Sequence, residues 1–421
     1  RILKPGETQT LTVEIPQKQL ASFNEETHTW IVEKGKYGIL VGNSSDKLKL
    51  EAVLVVSDDT VLEQMDKICP LQEELEQIYL TKELCEQALM GGLLLGGGGG
   101  GTLTAGREAL EETFKHTDKL TMLDVSELKP DDVVVNVSTL GAPSAKDVHL
   151  TAEHWMTALK NFELNYGKKI AGFTSCENGA ISTANGWVIS ALTGIPLVDA
   201  PSNGRAHPTG TMGSIGLNLL PDYQTTQSAC GGVGARYVET VAKGALNSTS
   251  HVIRQSAVAD GGMVGVLRNP VTAEYLAKNA AVGAISQALD IGKAFSQCKN
   301  GAEFVAFLEK NYDAKILAKG KIANYDLKMD GGYDIGHLDV IGEEGSVSFT
   351  FWNEYMLAEQ DGQRAATFPD LICTLDAATG EAISTAEAKD GMEAYAIVIP
   401  KEKLILGAGM HQRELFQEVE D

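Results

Sequence analysis

The segments FTSCENGAIS and GIPLVDAPSNGRAHPTG place Glu177, Asp199, Arg205 and His207 within 31 residues. Together they offer two carboxylates, an anion clamp and a proton-transfer group, a set suited to acid-base work on a small polar molecule. Glu177 is the first candidate for a general base, with a helix cap or a structural hydrogen bond as its plain alternative. Asp199 follows the strand-like IPLV and carries the same role, against a backbone-capping role at a turn. Arg205 suits a two-pronged contact with a carboxylate or imide-like edge, or a buried salt bridge. His207 stands before Pro208, so proton transfer competes with a rigid turn. Cys176, Ser138, Thr139 and Ser175 are nucleophile types near expected strand ends, but none sits in GxSxG. Core packing is the simpler use of Cys176.

A second candidate feature is the run Gly96 to Gly101, between ALMGGLLL and LTAGREALEETF. Successive glycine amides before a helix can hold an anion or polarise a carbonyl. This makes Gly98, Gly99, Gly100 and Thr102 ligand-facing candidates, with a tight chain crossing as the alternative. The run has no Lys-Ser/Thr ending, so it is not a phosphate loop, and a glycine run matches GxGxxG in some frame without specificity. Asn178 adjoins Glu177, and Glu354 in NEY and Asp370 in PDL are further ligand contacts expected near a cleft between domains.

These residues need elements to hold them. The alternation of helix-like 106–115, strand-like 132–143, helix-like 151–167 and strand-like Lys169 to Phe173 predicts an α/β layer. If Lys169 to Thr174 and Pro196 to Asp199 are parallel neighbours, Glu177 and Asp199 share the carboxyl edge where such sheets bind ligands. Beyond about residue 245, helices are expected at 272–291 and 301–312, followed by glycine-punctuated strands. Residues 1–49 read as short strands, with Glu25 and Glu26 on a polar turn and Trp30 and Tyr37 as sheet packing. Residues 51–86 read as a strand followed by acidic helical segments that connect the two parts. The expected domains are 1–49, a connector at 50–83, an α/β domain at 84–245 with the glycine loop, and a β-rich domain with helices at 246–421.

A chain of 421 residues exceeds one compact core, and 57 acidic against 35 basic residues give a net charge of -22. That charge repels nucleic acid and anionic membranes, so neither is an expected partner. The six cysteines are dispersed without CxxC, which suits a reducing, cytoplasmic setting. No apolar run reaches membrane-spanning length and RILKPGETQT has no signal-peptide core. The start at Arg1 instead of Met is that of a fragment or a trimmed product. His149 and His154 are five apart, off the four-residue spacing of a zinc helix, so no metal and no cofactor is expected. The remaining route to a metal is an ion gathered by Glu177, Asp199, His207 and Asp370 across the fold. The expected partner is a small cyclic substrate, with homo-oligomerisation left open.

Two resemblances follow. KPGETQTLTVEI and LASFNEETHTWIVEKGKYGILVGNSS resemble the last strands of the fibronectin-III-like domain that closes family 3 glycoside hydrolases. In that family catalysis resides in preceding domains, so the likeness implies a structural role and no glycosidase activity. From about residue 84, LLLGGGGGGTLTAG, VVVNVSTLGAPS, ENGA, GIPLVDAPSNGRAHP, DGGYDIGHLDVIG, WNEYMLAEQDG and FPDLICTLDAATGE resemble the S-methyl-thiohydantoin desulfurase family, hydantoinase- and oxoprolinase-related. The resemblance implies an α/β sandwich domain and a β-barrel-like second domain. It implies desulfurase or amidohydrolase-like chemistry on thiohydantoin, hydantoin or imide rings, with Glu177 or Asp199 as base and Arg205 or glycine amides stabilising charge. The chain departs from the family pattern Asp-Ala-Asp-Gly-x-Gly-Arg-Ala-Phe-Pro-Glu: Pro201 replaces the second Asp, His207 the Phe and Thr209 the Glu. Two carboxylates are thereby lost, which makes a catalytically silent binding or regulatory protein the alternative.

Overall fold

In a computed structural model, the described residues are 4–10, 12–24, 27, 29–42, 48–64, 78–141, 148–331, 333–343 and 345–416. The chain divides into two compact units, Arg1–Glu76 and Gln77–Asp421. In the first unit, Ser22–Asn24, Thr29–Val32 and Thr60–Gln64 form a three-stranded antiparallel sheet, and Gly35–Gly42 pairs with Leu48–Val56. Val32 is buried and Phe23 packs on Trp30, but Val53, Val55 and Val61 lie open, so little apolar surface is withdrawn from water. Glu25 and Glu26 lie outside the described residues, as do residues 65–77 of the expected connector. Residues Ile78–Leu80, read in sequence as part of an acidic helix, form a strand against Leu120–Leu123.

The second unit holds an eight-stranded mixed sheet and an eight-stranded antiparallel sheet together with helices. At the centre of the mixed sheet, Val133–Gly141, Gly172–Ser175, Leu197–Val198 and Leu120–Leu123 run parallel. Val133 to Ser138 are all buried, the near-continuous burial expected of a strand covered on both faces. Antiparallel strands Met263–Thr272, Gln224–Gly231 and Val238–Ala245 extend one side.

Helix α1, Lys82–Leu95, starts at Thr81, whose hydroxyl accepts the Leu84 amide, and it is buried almost all round from Ala88 onward. Gly91 and Gly92 leave no room for a Cβ against Ala288 and Thr183, so α1 lies close to its neighbours. Helices α2, Leu103–Thr113, and α3, Ala152–Tyr166, follow. The short α4, Ala180–Thr183, and α5, Trp187–Thr193, lie between two of the parallel strands. Helix α6, Leu246–Asp260, precedes Met263–Thr272. The helix expected over 272–291 is two helices, α7, Ala273–Asn279, and α8, Ala284–Gln297, separated at Gly283 with φ of 86°. Helix α9, Gly301–Tyr312, leads into the antiparallel sheet.

That second sheet runs in the order Gln363–Thr367, Glu354–Gln360, Gly345–Trp352, Tyr333–Gly342, Lys315–Asp330, Glu393–Ile399, Leu371–Asp376, Ala382–Ile383. Val347, Phe349 and Phe351 alternate inward along one of its strands and pack with Tyr355, Leu338 and Val340. No helix among the described residues is long and apolar enough to cross a membrane.

Candidate active site

The glycine run forms the turn from α1 to α2. Gly97, Gly98, Gly100 and Gly101 have φ of 54°, 91°, 71° and 85°, values closed to most side chains, which explains glycine at these four positions. Gly99 has an ordinary φ, but a Cβ there would strike the Glu354 carboxyl. The run is buried and tied on both sides. The Tyr355 amide donates to the Gly97 carbonyl at 2.8 Å, the Thr385 amide to Gly98 at 2.8 Å, and the Ser182 amide to Gly100 at 3.2 Å. It therefore joins the antiparallel sheet to the loops of the mixed sheet.

Beside it lies a cleft enclosing about 530 Å³ of empty space, mouth included. Gly100 and Gly101 form one wall, and Cys176, Glu177 and Ser182 follow strand Gly172–Ser175. His207 and Thr209 form a further wall, and Arg254, Arg268, Asn353 and Glu354 complete it.

Glu177 is buried, with both carboxylate oxygens engaged. Oε1 accepts the Ser182 hydroxyl at 2.8 Å and Oε2 accepts the His207 backbone amide at 3.1 Å. The His207 ring also approaches, with Nε2 3.2 Å from Oε2 but out of hydrogen-bond alignment. Burial holds the His207 imidazole below its ordinary range, against the opposing pull of Glu177, so the ring is neutral at physiological pH. Cys176 also faces the cleft, with the Asn185 amide 3.6 Å from its sulfur, and burial pushes its thiol far up. It is a thiol and not a ready thiolate.

Asp199 leaves the same end of the sheet but does not line the cleft. Its Oδ1 accepts the Ile285 amide at 2.7 Å, and its Oδ2 accepts the Ser286 amide at 3.2 Å and the Ser286 hydroxyl at 2.6 Å. Its carbonyl accepts the Gly283 amide, so both its side chain and its backbone hold the start of α8. Burial raises its pKa against the pull of these donors.

Arg205 is fully buried behind the cleft. Its Nη1 donates to the carbonyls of Pro369 at 3.2 Å and Asp370 at 2.5 Å, Nε donates to Ala206, and the guanidinium lies 4.4 Å from the Phe368 ring centroid. Burial pulls it down to about 10, which leaves it charged at neutral pH, while its Nη2 has no partner. Asn178 is spent on the carbonyls of Gly204 and Ala284 and on the Thr183 hydroxyl. The Asp370 carboxylate accepts the Lys401 amide, and Thr102 caps α2 through the Ala105 amide at 3.2 Å. Of the sequence candidates, the structure thus brings Gly100, Glu177, His207 and Glu354 together at this cleft and sets Gly98, Gly99, Thr102, Asn178, Asp199, Arg205 and Asp370 around or away from it.

Glu354 is almost completely buried, and its Oε2 has no partner. Burial first, then repulsion from Glu177, hold its carboxyl well above the usual range, with Arg205 and the Gly100 amide acting in the opposite sense. In its protonated form it can donate a hydrogen bond. Asn353 before it has φ of 56° and is held by Asp334, whose amide donates to Asn353 Oδ1 at 2.9 Å.

Arg268 and Arg254 were not singled out in the sequence. Arg268 is buried, with Nε 3.3 Å from Asn136 Oδ1, and Arg254 lies over the Tyr333 ring. The pairing of Met263–Thr272 with Val133–Gly141 shifts register between Arg268 and Val271, and Asn269 there has φ of 51°. A bulge at LRNP interrupts the strand beside Arg268, and the Asn-Pro pair inside an apolar run was its visible sign. No group of three or more His, Cys, Asp or Glu side chains among the described residues is arranged to hold a metal. Pro201 and Thr209 supply no carboxylate, although Thr209 does face the cleft.

Comparison with known families matches residues 84–228 to an S-Me-THD-like N-terminal domain and residues 245–408 to an S-Me-THD-like C-terminal domain. The chain belongs to the S-Me-THD-like family over these residues, and residues 1–45 match a fibronectin type III-like domain. A probable beta-glucosidase K of Emericella nidulans is 38% identical over 58 residues, 14% of this chain, which spans only 7% of that protein. A crystal structure of a protein from Chromobacterium violaceum is similar with a TM-score of 0.62 and 22% identity, covering 82% of this chain and 96% of that one, and it shares the fold.

Proposed function

We propose that residues 84–408 form a desulfurase or amidohydrolase-like enzyme that adds water to a small cyclic thiohydantoin, hydantoin or imide. The observation that carries this reading is the buried Glu177, oriented by Ser182 and His207, in one cleft with Glu354, whose carboxyl burial holds above the usual range, and two arginines. For an S-methyl-thiohydantoin, Glu177 takes a proton from water as its oxygen bonds to the ring carbon that bears sulfur. The electron pair of the C=N bond moves to the ring nitrogen, where Arg268, Arg254 and the Glu354 O–H offset the charge. The pair on the ring nitrogen then reforms the C=N bond as the C–S bond breaks, Glu177 returns its proton to the departing sulfur, and the hydroxyl proton moves to the ring nitrogen, so that the products are the hydantoin and methanethiol. Water and substrate supply every atom, and protein groups alone carry the proton and the charge.

A second reading, a protein that binds the ring without turning it over, draws support from Thr209, which offers the cleft a hydroxyl where the resembled pattern has a carboxylate. Incubating the full chain with S-methyl-thiohydantoin and hydantoin, with free thiol and product mass as readouts, separates the two. Thiol release supports the enzyme; thermal stabilisation with no product after long incubation supports the binding protein. Repeating the assay with a chelator and with elemental analysis tests the metal-independent chemistry, which a stoichiometric metal essential for turnover would overturn.

A further inference from the structure

Next to the reactive cleft lies a second groove that encloses about 1580 Å³, mouth included. Gly101, Thr139, Ile181 and Met263 line both spaces, so the groove adjoins the cleft and is within reach of a substituent on a ring held at Glu177. The groove owes its width to small residues. Ala105 and Ala109 on α2, Ala152 on α3, and Ala184 line it where larger side chains would narrow the space. Leu150, Trp155, Val188 and Ile189 give it an apolar floor.

Charge separates the two spaces. Arg254 and Arg268 line the reactive cleft, whereas among the described residues the charged groups of the groove are Glu108 and Glu112, with no lysine or arginine. Glu112 pairs with Lys115 at 2.7 Å, and among the described residues the groove lining offers an anionic substituent no cation of its own, whereas an uncharged apolar one would leave water at no charge cost.

Resting on the ring chemistry above, we propose that this groove holds an uncharged apolar substituent on the ring carbon of the substrate. The substrate class is then a ring derived from an apolar α-amino acid, carrying a benzyl or branched alkyl group. Size supports this, because the second space is larger than the first and a bare five-membered ring would leave it empty.

Calorimetric titration of the full chain with hydantoin, 5-benzylhydantoin and 5-(2-carboxyethyl)hydantoin tests it. Benzylhydantoin is expected to bind about tenfold more tightly than hydantoin, and the carboxyethyl compound no more tightly. Ala109→Phe should remove the benzyl advantage and leave hydantoin affinity within about threefold. Ala105→Phe is the second filling variant, and thermal melts verify that each folds. Equal affinity for benzyl and plain rings, preference for the carboxyethyl compound, or no binding of any ring overturns the groove assignment. A benzyl preference without product from the S-methylthio counterpart supports the groove and removes the enzyme reading, so the two failures remain distinct.

Discussion

The turn after Gly172–Ser175 and the turn after Leu197–Val198 leave neighbouring parallel strands at the same end of one sheet, yet their carboxylates meet different fates. Glu177 is held at the cleft by a hydroxyl and a backbone amide. Asp199 is held by two backbone amides and a hydroxyl at the start of α8. The carboxyl end of a parallel sheet gathers polar groups, but the nearest unsatisfied donors decide what each group does. At Asp199 the orphan amides of α8 take the carboxylate, whereas Glu177 takes a hydroxyl from the short α4 and the amide of His207 and lines the cleft.

The comparison breaks most sharply at Glu177. Glu177→Gln should lower turnover about 10²- to 10⁴-fold while costing about 1 kcal/mol of stability, measured by steady-state rates and denaturant melts. Unchanged turnover would end its role as base. Asp199→Asn should show the converse, a stability loss of about 1–3 kcal/mol from the weakened start of α8, with turnover per folded molecule retained. A collapse of turnover with intact stability would return Asp199 to the chemistry.

Glu354 sharpens the contrast through pH. Its folded-state pKa lies above the unfolded value, so the native state keeps a proton that the unfolded chain releases, and stability falls as pH rises through the ordinary carboxylate range toward the folded value. Glu354→Gln should therefore melt higher than the parent at pH 8, with the difference vanishing below about pH 3, where both states of the parent are protonated. His207 acts in the opposite direction, because its lowered pKa makes stability fall as pH drops below its ordinary value. The smallest effect is expected from removing residues 1–76: turnover of the remaining chain should match that of the full chain, and its loss would make the first unit part of the machinery.

The alternation of helix and strand was legible because VVVNVS and the TAEHWMTALKNF periodicity each satisfy a single burial pattern, whereas the glycines inside ALMGGLLL hid the helix that the run forms. The place of Glu177 at a strand end was legible because it lies just past the short apolar strand Gly172–Ser175, whereas His207 lies well beyond Leu197–Val198 and no local pattern set its ring beside Glu177. Asp199 was ambiguous because the helical pattern over 272–291 concealed a break. The local pattern continues through Ala280 and Val282, and only Gly283 betrays the new helix start that needs a carboxylate from 84 residues earlier. Arg205 beside a glycine invited an anion-binding role, but its partners are carbonyls, that of the next residue and two more than 160 residues away. Arg268 and Arg254 carried no motif; a bulge and a helix face bring them to the cleft. Ile78–Leu80 takes strand form because pairing with Leu120–Leu123 overrides a helical composition.

Since the glycine turn is already buried and tied by its carbonyls to Tyr355, Thr385 and Ser182, it enters any encounter as a finished surface. A wall that is set before the ligand arrives charges no ordering entropy to association, so the calorimetric signature of ring binding should lack the large unfavourable entropy of a loop that folds on contact. It also means that this wall is no gate: the glycines confer fixed shape where their composition alone would suggest slack.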